Sequence, residues 1–247
     1  MLILLPPSES KRDGGNPDGT LRLGSLGYPT LSKARRQALK SLSVLAKDFP
    51  EMARALKLGP HQHDELVRNR RVTRSPVIGA LDRYTGVLYD ALDAATLSSE
   101  ARQFAAQHLV IHSALFGLLR ADDPIPAYRL SSNSRLPGLS LRALWDAPIA
   151  AALAAQPGLI LDARSESYAR LGAVPAGRSL FLRVVSDDDQ GRRRALNHFN
   201  KKGKGAFVRA LLTAGIDHAD TDSLLSWAAG AGIPLYQSAP GEVELVV

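Results

Sequence analysis

Between Asn197 and Arg209 the chain gathers the side chains best suited to chemistry: His198, Asn200, Lys201, Lys202 and Lys204, with Gly203 and Gly205 among them. Lysines grouped beside exposed backbone N–H groups bind anions, phosphate above all. The apolar Ala210-Leu211-Leu212 marks a helix over Ala206–Ala214, so the basic run is expected at or just before its start. A solvated basic turn is the plain alternative. Three more polar clusters follow apolar runs elsewhere: Ser8, Glu9 and Lys11; Arg120, Tyr128 and Arg129; Asp162, Arg164, Ser165 and Tyr168.

Placed arginines suit bidentate phosphate or carboxylate recognition. Carboxylates weaken a surface that only holds phosphate, unless they do acid–base work or select a base edge. On that reading Glu9 or Asp162 is a base and His198 an acid or hydrogen-bond donor. The simpler alternatives are that Arg120 and Arg129 pair with Asp122 and Asp123, that Asp162 and Arg164 make a local ion pair, and that Ser165 caps a helix.

Elements must bring these clusters together. Leu2–Leu5 is a continuous apolar run closed by Pro6-Pro7, the pattern of a buried central strand. Leu109–Ser113 is a second, and a third runs from Gly158 into Asp162. Ligands bind beyond the carboxyl ends of strands in open α/β sheets. If these strands share a sheet, the clusters meet in one basic cleft. Helices are expected over Leu31–Ala46, Met52–Leu58, from His63 to the arginines near 70, Tyr84–Leu92, Glu100–His108 with Ser99 as cap, Leu141–Leu153 and Thr221–Ala229. Ser179–Ser186 and Arg193–Phe199 read as a hairpin about the acidic turn Asp187–Arg192, and a second hairpin closes the chain from Ile233 to Val247. No repeat or linker divides the chain. One α+β domain over residues 1–247 follows, a mixed central sheet with flanking helices.

The bulk composition limits the partners. The 247 residues carry a formal net charge of +7, which favours phosphate-bearing partners (DNA, a nucleotide or anionic lipid) without choosing among them. There is no cysteine, hence no disulfide, thiolate metal site or cysteine nucleophile. His61 and His63 have no further ligand nearby, so no metal and no cofactor is expected. The apolar opening Met1–Pro7 lacks the basic start and length of a signal peptide, and no apolar run is long enough for a bilayer. A cytoplasmic monomer is expected. P-loop, GxGxxG, GxSxG and HExxH motifs are missing. Leu136-Pro137-Gly138-Leu139-Ser140 resembles the hairpin of a helix-hairpin-helix DNA module, with Ser140 where that module has its second glycine; an ordinary loop before a helix is the simpler reading.

Taken in order, four blocks resemble the YaaA peroxide-stress family of bacterial cytoplasmic proteins. They are Leu4-Leu5-Pro6-Pro7-Ser8-Glu9-Ser10-Lys11; His112–Arg120 with Pro126-Ala127-Tyr128-Arg129-Leu130; Asp162-Ala163-Arg164-Ser165 with Tyr168; and His198-Phe199-Asn200-Lys201 with Lys204-Gly205. The resemblance runs nearly end to end. It implies a single-domain α+β fold with a positively charged cleft, DNA binding through a helix-hairpin-helix-like element, and protection from hydrogen peroxide by keeping free intracellular iron low. Ser131-Ser132 and the segment Asn200–Gly205 depart from the better-known members, which places this chain on a divergent branch. An enzyme acting on a nucleotide or nucleobase is the alternative, and iron binding by the chain itself comes last.

Overall fold

A computed structural model describes residues 1–59, 62–187, 193–195 and 198–247; at residues 63, 187, 193–195, 198 and 199 it describes the backbone alone. The expected acidic turn Asp187–Arg192 therefore lies largely outside the described residues, as do His61 and Asn197.

β1 (Leu2–Leu5) is buried along its whole length, as a strand covered on both faces must be. The chain then runs through α1 (Ser32–Leu45), α2 (Phe49–Leu56) and α3 (His63–Arg70). A short β2 (Ile78–Gly79) leads into α4 (Ala80–Arg83) and α5 (Val87–Leu92). α6 (Ser99–His108) feeds β3 (Leu109–Ser113), and β4 (Gly117–Arg120) and β5 (Pro124–Ile125) follow. α7 (Leu141–Ala154) precedes β6 (Ile160–Asp162) and the four-residue α8 (Glu166–Ala169). β7 (Ser179–Asp187) and β8 (Arg193–Ala195) precede α9 (His198–Ala214) and α10 (Thr221–Gly230), and β9 (Leu235–Ala239) and β10 (Glu242–Val246) close the chain.

The main sheet has the order β4-β3-β1-β6-β7-β10-β9, with β8 paired to β7. Its five inner strands are parallel, and β4 and β9 are antiparallel edges. β2 and β5 form a separate antiparallel pair. Two helix groups flank the sheet: α5, α6 and α9 pack together with α9 on β7, while α1, α2, α3 and α7 pack together with α7 against β4. The fold is thus a single α+β domain with a mixed sheet, and the first strand lies among the parallel inner strands, as its apolar run requires.

Two local expectations are corrected, the cap of α6 and the start of α9, and between the two readings of the 136–140 loop the simpler one holds. Ser98, not Ser99, caps α6, accepting from the Ala101 N–H. The Leu136–Leu139 segment is a tight turn with Gly138 at φ +62, and Ser140 then caps α7. Residues 121–140 form no helix, so the turn lacks the first helix of a helix-hairpin-helix and is the ordinary loop before a helix. Finally, α9 begins at His198, not Ala206, so the basic run is part of the helix itself.

The early start has a packing cause. Gly203 and Gly205 read as helix breakers, yet both serve close approach. A Cβ on Gly205 would lie 2.1 Å from the Leu88 carbonyl oxygen of α5. One on Gly203 would lie 3.0 Å from Val184 Cγ1 on β7. Bare backbone at these positions lets α9 sit tightly on both neighbours.

Candidate functional site

A cleft of about 640 Å³ lies beyond the carboxyl ends of β1 and β6. The loop after β1, Pro6 to Ser10, forms one wall, with Gly86–Tyr89 beside it. Leu130–Asn133, Ser165, Ser167 and Tyr168 close other sides. From α9 come Asn200, Lys201 and Lys204. Helical spacing explains which residues of that run arrive: Lys201 and Lys204 stand three apart, and Asn200 and Lys204 four apart, on one face. Lys202 is rotated away and exposed.

Buried hydrogen bonds fix the walls. The Tyr89 hydroxyl donates to the Pro6 carbonyl at 2.8 Å. Arg83, fully buried, donates to the carbonyls of Arg12, Gly14, Pro76 and Ile125, which pins the chain after Lys11. Asn69 clamps the backbone of Arg129, accepting from its N–H at 2.8 Å and donating to its carbonyl at 2.7 Å. Held in this way, Arg129 reaches Glu9 at 2.5 Å at the edge of the cleft.

Two amines are buried near the cleft. Lys11 Nζ donates to the carbonyls of Ser8 (2.9 Å) and Glu9 (3.2 Å), and stands 4.2 Å from the centre of the Tyr128 ring. Tyr128 in turn hydrogen-bonds Ser113 and Tyr84, each at 2.7 Å. Burial pushes the Lys11 amine down to about 7 and the Tyr128 hydroxyl up to about 12. Lys204 Nζ donates to the Arg164 carbonyl at 3.3 Å and lies 5.4 Å from the Phe181 ring centre. Its burial lowers that amine to about 8.

Behind the cleft Asp162 and Arg164 form a fully enclosed pair. Arg164 Nε donates to Asp162 Oδ1 at 2.8 Å and its second terminal nitrogen to Oδ2 at 2.7 Å. The remaining guanidinium nitrogen donates to the Gly172 carbonyl and to His112 Nδ1. An arginine cannot accept, so His112 Nδ1 is the acceptor and its proton sits on Nε2. Burial, with the Arg164 charge beside it, holds the His112 pKa well below 6.5. The segment 162–167 also divides two hollows. Ala163, Ser165 and Ser167 line the cleft, whereas Asp162, Arg164 and Glu166 line a second hollow of about 630 Å³ beside α7 and β7. Alternation along extended chain accounts for the division up to Ser165; Glu166 and Ser167 are already the first turn of α8.

A family model described as "Peroxide stress protein YaaA" matches residues 1–229. The chain belongs to the YaaA peroxide-stress family. A "UPF0246 protein" of Corynebacterium glutamicum is 40% identical over 238 residues, covering 94% of each chain. One from Streptomyces coelicolor is 42% identical over 223 residues, covering 87% of this chain and 84% of its own. Membership in the YaaA family supports a role in peroxide stress.

The residues that carried the YaaA resemblance divide clearly in space. Glu9, Ser165, Asn200, Lys201 and Lys204 line the cleft, and Tyr168 joins them. Lys11, Tyr128, Asp162 and Arg164 are buried behind it, and Arg129 reaches its edge through Glu9. Ser165 occupies the N-cap position of α8 without a cap bond; its hydroxyl bonds Ser167 at 3.0 Å. The His198 side chain lies outside the described residues. Arg120 does not join the cleft. β4 runs antiparallel to β3, and Arg120 pairs with Val110 near the amino end of that strand, where its guanidinium stands 5.7 Å from the Tyr28 ring centre. Asp123 accepts from the Arg120 backbone N–H, not from its side chain. Sequence reasoning missed Asn69, Ser131–Asn133 and the role of Tyr89. Only Asn69 left a trace, as a polar amide within an otherwise basic helix end.

Among the described residues, no helix is long and apolar enough to cross a membrane.

Proposed function

We propose that this YaaA-family chain acts in peroxide stress by binding DNA, with the strand-end cleft receiving one nucleotide unit and Lys201 and Lys202 meeting the flanking phosphates. The observation that carries the reading is the convergence of Ser8, Ser165, Asn200, Lys201 and Lys204, from three separate elements, on one cleft. Its volume is that of a pocket enclosing a single small ligand. A nucleotide of a single strand, or one extruded from a duplex, enters it; an intact duplex is met at the mouth. Lysines supply sequence-independent attraction to phosphate.

Any effect on free iron is indirect in this reading. Among the described residues no three His, Asp or Glu side chains are grouped to hold a metal ion.

Fluorescence anisotropy with labelled single-stranded and duplex oligonucleotides tests the reading. The single strand should bind more tightly, and Lys201→Ala should weaken both. Absence of binding to either form at low salt would overturn it.

A further inference from the structure

The two buried amines beside the cleft differ in a way that suggests chemistry. Lys11 is the more fully engaged: two of its three N–H donors reach carbonyls, and two tyrosine rings flank it, at 4.2 and 5.2 Å from their centres. It does not line the cleft. Its place is structural, holding the turn after β1 against Tyr84 and Tyr128.

Lys204 lines the cleft and is 6% exposed. An ammonium has three N–H donors. Among the described residues Lys204 uses one, a long 3.3 Å bond to the Arg164 carbonyl, and no carboxylate lies within ion-pair distance. Among the described residues the amine is therefore enclosed, with two N–H donors unused and only the Phe181 ring besides at 5.4 Å, and it stands beside a space that admits a ligand. Lysines held in this way lose their proton readily and attack carbonyl carbons.

We infer that Lys204 is a nucleophile that forms a reversible imine with an aldehyde held in the cleft. The aldehyde class rests on the DNA reading above: it is the ring-opened deoxyribose left where a base has been lost. The unprotonated nitrogen adds to the aldehyde carbon, and a proton passes from nitrogen to the former carbonyl oxygen. The second nitrogen proton follows as the carbon–nitrogen double bond forms, so that the oxygen leaves as water. No oxidant or reductant is consumed.

The charged groups around the amine set its working range. Asp162 on β6 and Glu166 on α8 favour the charged form, Arg183 on β7 opposes it, and burial outweighs all three. Imine formation should accelerate as pH rises through about 8.

The test is reductive trapping. The intact protein is incubated with an oligonucleotide carrying one abasic site and sodium cyanoborohydride, then digested and mapped by mass spectrometry. In parallel, anisotropy measures binding of the same oligonucleotide, and pyridoxal 5′-phosphate serves as a small aldehyde that needs no DNA. One adduct on Lys204 is expected, and Lys204→Met should reduce trapping by at least about tenfold. Adducts on the exposed Lys201 and Lys202, or on Lys11, with Lys204 unmodified would overturn the inference even if Lys204→Met failed to fold. Oligonucleotide binding without any adduct overturns the imine and leaves the DNA reading standing. Trapping of pyridoxal phosphate on Lys204 without oligonucleotide binding overturns the DNA reading and keeps the nucleophile. Failure of all three overturns both.

Discussion

Arg164 is engaged on every side, by both Asp162 oxygens, the Gly172 carbonyl and His112. Its type suggests phosphate recognition, but its surroundings make it an internal strut that fixes the floor under Lys204. A buried charge deprived of its partner is costly, about 3–5 kcal/mol. Asp162→Ala should therefore lower the Tm by about 6–20 °C in a thermal-shift assay. Loss of less than a few degrees would mean that water reaches the pair. His112 gives a pH signature. Folded, it stays neutral; unfolded, it binds a proton below its ordinary pKa of 6.5. The unfolded state then holds more protons, so stability falls as pH drops below 6.5, by up to about 1.4 kcal/mol per pH unit. His112→Gln retains an acceptor for Arg164 and removes the titration. Denaturant melts from pH 7 to 5 should show a shallower acid loss for the variant; parallel curves would refute the assignment.

At the scale of elements, α9 decides which lysines meet the cleft. Gly205 is its critical point. An alanine would gain about 1 kcal/mol of helix propensity in isolation. Here its methyl would meet the Leu88 carbonyl at 2.1 Å and Ala91 Cβ at 2.9 Å, so α5 and α9 must separate. Overpacking of this kind costs about 1–3 kcal/mol or more. Gly205→Ala should destabilise the fold and widen the cleft, whereas Gly230→Ala, with nothing within 4 Å, should be neutral or stabilising. Chemical denaturation of the two variants makes the comparison. The same helix marks what the sequence could not disclose. Strands β1, β3 and β6 were legible because continuous apolar runs ending in polar residues have few other uses. The start of α9 was hidden because a glycine that breaks a helix and one that admits a neighbour look identical in one dimension. Arg120 was misplaced for a related reason. An apolar run does not reveal its direction, and β4 returns antiparallel, carrying its last residue to the far end of the sheet. The meeting of Glu9 and Ser165 did follow from strand-end reasoning, because β1 and β6 are adjacent and parallel, whereas Asn200, Lys201 and Lys204 arrive from the face of α9.

For the molecule as a whole, the net charge of +7 sets a long-range attraction to nucleic acid that local pairing only partly cancels. Arg129 faces Glu9 and Arg164 faces Asp162, so neither adds an unbalanced charge at the site. On the proposed reading the attraction then falls to exposed lysines, Lys201 at the cleft and Lys202 on the neighbouring face of α9 foremost. Few phosphates should therefore be neutralised in the complex, about three or four, and the logarithm of affinity for single-stranded DNA should fall with a slope of roughly −2 to −3 against the logarithm of salt. Lys201→Ala and Lys202→Ala should each make that slope shallower by about one. Lys204 is enclosed and only partly charged near its pKa of about 8, so Lys204→Met should leave the slope nearly unchanged at that pH. On the proposed reading this contrast separates steering from chemistry: two lysines would draw the strand in, and a third, four residues after Asn200 on the same helix, would act at the floor. If Lys204→Met flattened the salt response as much as Lys201→Ala, the floor amine would be one more phosphate contact and the division of labour along α9 would be wrong.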